Sequence, residues 1–386
     1  MSEKQLPMDR LKLKEELPPL PDLEQQEPLI LQQDLLTTET EGTETQSSEG
    51  QGNDDQSSMQ VNETDDSQAE DSDSDADQDP SNVSTWGFDT TAAPSAMFEN
   101  GALKSGELDS QTDDALAVET LEMQLLLEGI YKRYGFDFRE YSPSSLRRRI
   151  WKCLHSENLS TISGLQEKIF HDPVAWKRFL ATVTVNVTSM FRDPEFYRAL
   201  RTLVVPVLEK SPFIRVWHAG CASGEEVYST AIILHECGLL DRCRIYATDV
   251  NEAVLARARN GIYRLEETAK YNDNYILAGG AGTFSDYYQE RYGHCIMDGS
   301  LREKILFAKH DLVTDGSFND FNLILCRNVL IYFSKGLQEH VHQLLYKSLS
   351  HEGILGLGQK ENLRHTQVEE CYNSLAEGER LYQKIA

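Results

Sequence analysis

The stretch Arg215-Val-Trp-His-Ala-Gly-Cys-Ala-Ser-Gly-Glu-Glu-Val-Tyr-Ser229 constrains this 386-residue chain more than any other. An apolar β-type run, Phe213 to Trp217, stops at a loop of small residues, Ala219 to Gly224. Two carboxylates follow, then a helical pattern from Val227 to Leu240. Strand, tight turn and helix in that order open a nucleotide-type cofactor site in an α/β fold. A second unit comes at once: Arg244 to Thr248 reads as a strand and ends on Asp249, 25 residues beyond Gly224. An acid at about that distance (roughly 20 residues) is where a ribose diol is usually held.

The same alternation continues to the C-terminus. Strands are predicted at 213–217, 244–248, 305–309, 321–325, 353–357 and 381–385, and helices at 226–237, 251–259 and 335–349. Strands alternating with helices give a mostly parallel sheet covered on both faces, so the fold class is α/β. Residues 264–304 break the rhythm with Gly279-Gly280-Ala281-Gly282 and many tyrosines. They read as an insertion over the carboxyl edge of the sheet, where ligands bind.

Upstream lies a different kind of sequence. Residues 116–200 predict a small all-α domain. Leu121, Leu125, Leu126, Ile130 and Tyr134 recur at helical spacing before Gly135, and Ser142-Pro143 opens a helix carrying Arg147, Arg148 and Arg149. Further helices are expected at 161–170, 173–185 and 194–208. Residues 1–115 hold 29 acids and 5 bases, with little to bury apart from an apolar island between Leu20 and Leu36. Such composition cannot offset its ordering entropy, so a disordered acidic tail is expected. Residues 116–386 carry 34 acids and 32 bases, close to neutral. That balance argues against nucleic acid as a partner, which would call for a basic excess. The seven cysteines contain no Cys-x-x-Cys pair, the start lacks the apolar core of a secretory signal, and no apolar run could span a bilayer. The expectation is a cytoplasmic protein with reduced thiols and no membrane insertion.

Four blocks carry a family resemblance. They are Gly135-Phe-Asp-Phe through Ser145-Leu-Arg-Arg-Arg-Ile150, Thr184-Val-Asn-Val-Thr-Ser-Met-Phe-Arg192-Asp-Pro-Glu-Phe196, the loop Ala219 to Ser229, and Leu325-Cys-Arg-Asn-Val-Leu-Ile-Tyr-Phe333. In this order they resemble the CheR-type chemotaxis receptor methyltransferases, which form glutamate methyl esters with S-adenosyl-L-methionine. The resemblance runs from about residue 120 to the end. It implies a Rossmann-like class I methyltransferase sheet in residues 201–386 and a helical substrate-docking domain before it. It also implies a chemoreceptor-type (methyl-accepting) protein as substrate and a methylesterase opposing the reaction.

The resemblance assigns roles residue by residue. Asn186, Thr188 and Arg192 would close over the cofactor from the helical side. Ala219 and Gly220 would let the backbone approach it, Glu226 would contact it, and Asp249 would hold its ribose. Glu225 would cap the following helix at its positive end. Asp311 and Leu312 would lie near the adenine, although the family more often has Asn at the first of these, so an amide donor is lost. Arg327 and Asn328 would complete the cofactor site. Arg192 and Tyr332 would line the methyl-transfer channel, and Arg147, Arg148 and Arg149 would dock an acidic receptor segment. Two other departures are Met190, where an aromatic is usual, and Val227, where Pro is common. In some family members a small β-subdomain around 264–304 grips a receptor's C-terminal peptide.

The chemistry asks for little beyond this. A carboxylate is ionised near neutral pH, so its attack on a sulfonium methyl requires no strong general base. Alignment and partial desolvation are the expected sources of rate. No catalytic histidine is sought: His218 reads as a strand residue, and His340 and His342 as residues of a surface helix. Cys221 and Cys326 read as small packing residues, and no metal-ligand spacing is present. A second reading stays open, a non-catalytic CheR-like module that binds cofactor or partner. Methylation of a small molecule is a third.

Overall fold

A computed structural model describes residues 105–184 and 188–385, with side chains from residue 114 onward. The expected acidic tail, up to residue 104, and Asn186 lie outside the described residues. The first helix, α1 (Ser105–Tyr134), begins ahead of the expected boundary at 115. Once its packed portion is nucleated, each added residue contributes one backbone hydrogen bond, which extends a helix past its buried face.

Four helices form the N-terminal domain: α1, α2 (Pro143–Ser156), α3 (Ile162–His171) and α4 (Pro173–Val183). Their ends follow sequence signals. Gly135 takes φ 77° after α1, Pro143 opens α2, and Thr161 and Asp172 cap α3 and α4 by accepting from Gly164 and Val174 N–H. The apolar faces meet in one core built on Leu126, Ile130, Leu146, Ile150, Leu165 and Phe179.

A linker then leads through α5 (Pro194–Ala199), a π-helical turn (Leu200–Val204) and α6 (Val205–Leu208) to the sheet. The sheet has seven strands: β1 (Ile214–Ala219), β2 (Cys243–Asp249), β6 (Ile305–Lys309), β7 (Phe321–Cys326), β8 (Leu349–Leu357), β9 (Tyr372–Ala376) and β10 (Leu381–Lys384). Their order is β6-β2-β1-β7-β8-β10-β9, parallel from β6 to β8, with β10 antiparallel to both neighbours. Strand β9 has no counterpart among the expected elements; it is a short edge strand with two exposed residues, so it shows no continuous apolar run.

The period of two along each strand explains the two-sided core. Val216, Leu323 and Leu325 pack on one face with α7 (Glu225–Glu236), while Trp217, Ala219, Ile324 and Cys326 pack on the other with α11 (Lys335–Ser348). Helix α8 (Glu252–Asn260) comes directly after β2. His342, expected on a surface, is only 2 % exposed because its position on α11 shares the apolar face of Val341 and Leu345.

The stretch expected as an insertion folds as β3 (Ile262–Arg264), α9 (Thr268–Leu277), β4 (Tyr288–Arg291), β5 (His294–Met297) and α10 (Gly299–Arg302). Its strands form an antiparallel sheet ordered β3-β5-β4. It was expected over the ligand edge. Instead Tyr287 and Tyr275 donate to Glu236 at the last residue of α7, which draws it along the flank of that helix.

Strand β8 tests how tightly this core is filled. A Cβ on Gly356 would stand 2.6 Å from Leu325 Cδ2 and 3.0 Å from Phe196 Cζ. Gly356→Ala is therefore expected to destabilise by about 1–3 kcal/mol, as overpacking does, read as a lower Tm in thermal melts. An unchanged Tm would mean that the layer between β8 and α5 yields freely.

Candidate active site

The strand order reverses between β1 and β7, and a cleft opens at the carboxyl ends of those strands, the usual ligand position in such sheets. Thr188, Arg192, Gly220, Glu226, Asp249, Asp311, Leu312, Arg327, Asn328 and Tyr332 line it. Ten expected residues, scattered over 145 positions, thus share one cavity wall. Ala219 is not on the lining; it ends β1 and packs with Trp217 and Ile324. None of residues 262–304 lines the cleft either.

The small-residue loop is shaped by backbone conformation. Gly220 has φ 79°, and a Cβ there would stand 2.6 Å from Val329 Cγ2. Gly224, at φ 93°, takes the N-cap position of α7, so Glu225 is not the cap expected of it. Its carboxylate folds back, buried, to accept from Ser223 Oγ at 3.0 and 2.8 Å. Asp249 also holds the loop: Oδ2 accepts from Ala222 N–H at 2.9 Å and Oδ1 from Asn251 N–H at 2.9 Å. Each oxygen accepts one bond and keeps further acceptor capacity, and the residue lines the cleft, which suits a diol. Burial pushes the Asp249 carboxyl upward, opposed by backbone N–H groups of Asn251, Ala222 and Val250.

Opposite this loop stands a buried charge network. Arg327 donates to Glu226 Oε2 at 3.0 Å, to Asp193 Oδ2 at 2.7 Å and to the Arg192 carbonyl at 3.3 Å. Its guanidinium carbon lies 3.9 Å from the centre of the Phe196 ring. His218 Nδ1 lies 3.2 Å from Glu226 Oε1. Burial works against the charge on Glu226, yet His218 and Arg327 hold its carboxyl below the usual range. Glu226 is thus ionised, and its partners are protein groups.

The helical domain reaches the cleft along the segment after β7. Ser142 N–H donates to the Tyr332 carbonyl at 2.8 Å, Tyr141 bridges Phe333, and their rings lie 5.0 Å apart. Thr184 Oγ1 accepts from Asn251 Nδ2 at 3.0 Å. The structure also divides the arginine triplet that was expected to act together. Arg147 is bound to Glu119 through two bonds, 2.6 and 2.9 Å, so it ties α2 to α1. Arg148 is exposed. Arg149 is only 6 % exposed and lines the cleft, donating Nη1 to the Val183 carbonyl at 2.7 Å, with its guanidinium 4.3 Å from the Tyr332 ring centre. Successive residues on a helix point about 100° apart, so three consecutive arginines cannot share one face. The Nη2 of Arg149 is buried with no hydrogen-bond partner.

Tyr141, Arg149 and His310 belong to the lining and were not expected there. The signal for Arg149 was available: it falls on the helical stripe of Leu146, Ile150 and Cys153, which marks the inner face of α2. Cys221 and Cys326 are buried, and burial pushes both thiols well up, so they are packing groups. Among the described residues no group of His, Cys, Asp and Glu is placed to hold a metal ion.

Glu225 generates a test of the loop's electrostatics. Burial raises its carboxyl to about 7, against the Ser223 hydrogen bond and the attraction of Arg257. The unfolded chain ionises this group near 4.5, so the folded form holds the proton more tightly. Its contribution is fully present below the unfolded value and is lost as pH rises through about 7, a loss of order 3 kcal/mol. Glu225→Gln is expected to remove that component, making the variant gain Tm relative to the parent as pH rises from about 5 to about 8. Parallel Tm–pH curves would contradict a buried, titrating Glu225.

Residues 121–184 match the CheR methyltransferase all-alpha domain, and residues 186–376 match the CheR methyltransferase SAM-binding domain. The chain is 46% identical over 264 residues to a Pseudomonas putida protein that carries the name methyltransferase Cher3, covering 68% of this chain and 97% of that one. It is 32% identical over 238 residues to the chemotaxis protein methyltransferase of Listeria monocytogenes, covering 59% and 85%. With the Escherichia coli chemotaxis protein methyltransferase the figures are 27% over 266 residues, covering 66% and 89%. The all-α domain, the mostly parallel sheet and these matches agree: the chain belongs to the CheR methyltransferase family and is an S-adenosylmethionine-dependent methyltransferase.

Proposed function

We propose that this protein forms glutamate methyl esters on an acidic helical segment of a chemoreceptor-type protein. The observation that carries the reading is Arg149, a buried cation that lines the cleft and whose Nη2 has no hydrogen-bond partner, at the inner end of an exposed basic strip. Arg148, Lys152 and His155 are exposed on α2 at helical spacing, so the strip runs outward along α2. A substrate helix bearing carboxylates complements the strip, and a single glutamate side chain that enters the cleft satisfies Arg149.

The cleft suits the cofactor for reasons internal to the chain. Asp249 offers acceptors for a ribose diol, Gly220 clears space for a backbone approach, and Asp311 and Leu312 border the side beyond β6. Glu226 was expected to meet the cofactor directly. Its oxygens each hold one protein partner, His218 and Arg327, so it fixes Arg327 and keeps acceptor capacity for the cofactor, with Asn328 and Arg192 beside it on the lining. When bound, S-adenosylmethionine supplies an electrophilic methyl on a sulfonium. The protein's part is then to hold a carboxylate, already ionised, in line with that methyl. Arg149 orients its oxygens, Tyr332 walls the passage, and the helical domain excludes water from it.

Three outcomes test this reading. Calorimetry with S-adenosylhomocysteine is expected to show micromolar binding (about −8 kcal/mol) that Asp249→Ala weakens by about tenfold or more. Undiminished affinity would place the ribose elsewhere. With tritium-labelled S-adenosylmethionine and soluble chemoreceptor cytoplasmic fragments, label is expected in a form that mild alkali releases as methanol, since esters hydrolyse and N-methyl groups do not. Alkali-stable label, or no transfer by protein that binds the cofactor, would refute ester formation. Arg149→Ala should lower kcat/KM by about 100-fold, the loss of a buried charge-assisted contact. Its cofactor affinity should stay within about threefold of the parent.

A further inference from the structure

Glu361 closes the turn Gly358-Gln-Lys-Glu361 after β8, and no feature of the sequence marks it. Its carboxylate is only 4 % exposed and forms no ion pair among the described residues. It accepts five backbone N–H groups instead. Oε1 takes those of Val329 at 2.8 Å, Leu330 at 2.7 Å and Ile331 at 3.3 Å; Oε2 takes those of Asn328 at 2.9 Å and Gly358 at 2.7 Å. The Glu361 N–H returns a bond to the Gly358 carbonyl at 2.9 Å.

Four consecutive N–H groups turned to one side make a concave anion site of the kind that elsewhere cradles phosphate. Here a side chain of the protein fills it. A carboxylate without a counter-cation is expensive to bury, so the arrangement holds only while its hydrogen bonds are made together. That all-or-none character fixes one conformation for the 328–331 backbone, beginning with Asn328 at φ 60°, a conformation that a non-glycine residue rarely adopts unaided.

What that backbone carries is the cleft wall. Asn328 and Tyr332 line it, Val329 packs against Gly220 of the small-residue loop, and the Tyr332 carbonyl receives Ser142 of the helical domain. We propose that Glu361 is a positioning residue for methyl transfer: its buried carboxylate sets the segment after β7, and through it Asn328, Tyr332 and the Gly220 turn. This rests on the cleft being the cofactor site.

Two variants reach the same carboxylate by different routes. Glu361→Gln keeps the shape but turns an NH2 group toward at least two N–H donors, whichever way the amide lies. In Gly358→Ala the new Cβ stands 2.7 Å from Glu361 Oε2 and 2.8 Å from the Asn328 nitrogen, displacing the carboxylate without removing its charge. For each, the full-length protein is titrated with S-adenosylhomocysteine well below its Tm, and amide exchange is followed by mass spectrometry. Affinity is expected to fall by about tenfold, with faster exchange confined to the peptide containing 328–331 while β1 and α7 keep their protection. The double variant should bind within about twofold of Glu361→Gln, because both changes break one interaction. A purely supporting residue would lower Tm and leave both readouts unchanged in the folded protein, and that result overturns the proposal. If Glu361→Gln does not fold, Gly358→Ala decides by the same two measurements. If Asp249→Ala also leaves affinity untouched, the cofactor-site reading has failed, and the exchange at 328–331 still judges Glu361.

Discussion

The guanidinium of Arg327 is the fixed point on which the cleft depends. It joins the end of β7 to the first turn of α7 through Glu226 and to the interdomain linker through Asp193 and the Arg192 carbonyl. A cation 6 % exposed cannot tolerate loss of these partners, because breaking a buried pair leaves an uncompensated charge at a cost of about 3–5 kcal/mol. Three segments distant in the chain are therefore obliged to meet. The linker shows the consequence. Phe191 and Asp193 take positive φ, 51° and 59°, and such backbone persists only where its surroundings over-determine it. The Phe191 N–H, donated to Ser229 Oγ at 2.9 Å, anchors the same turn to α7.

Around that point the polar groups fall into two sets. The carboxylates of Glu225, Glu226 and Glu361 are engaged by the protein itself, and their work is to hold backbone and one another. Arg149 Nη2, His218 Nε2, His310 Nδ1 and Arg327 Nε are buried without hydrogen-bond partners. Buried polar atoms are normally paired, so these atoms carry unused hydrogen-bonding capacity. The His218 ring already meets Glu226 on its other side. The helical domain contributes Arg149 from above and the sheet contributes Asp249 from below. Neither domain alone encloses the cleft.

Much of this was legible in the residues. The central parallel strands and the helices after β1, β2 and β7 lie within a few residues of their expected bounds, because strands buried on both faces read as unbroken apolar runs. Ten expected site residues line the cleft because motif blocks end on strand termini, and strand termini of a parallel sheet converge. The residues that escaped share a different property. Arg149 stood in a run of identical charges; its place on the stripe of Leu146, Ile150 and Cys153 marks the inner face of α2 but not the cleft. Glu361 lay in an ordinary polar turn, and its partners are backbone N–H groups, which have no sequence signature. Strand β9 is short and half-exposed, and the three-stranded sheet at 262–297 is built from strands of three or four residues.

The sequence by itself determined the fold class, the order of the domains, the family and the cofactor, because these rest on local periodicity and on contiguous motifs. Tertiary structure alone decided that the inner face of α2 brings Arg149 to the cleft, that Glu226 pairs with Arg327, and that a carboxylate 30 residues away holds the backbone after β7. The physical reason is the same in each case. Direction around a helix, competition for a charged partner and capture of backbone donors are settled by neighbours that come close only when the chain has folded.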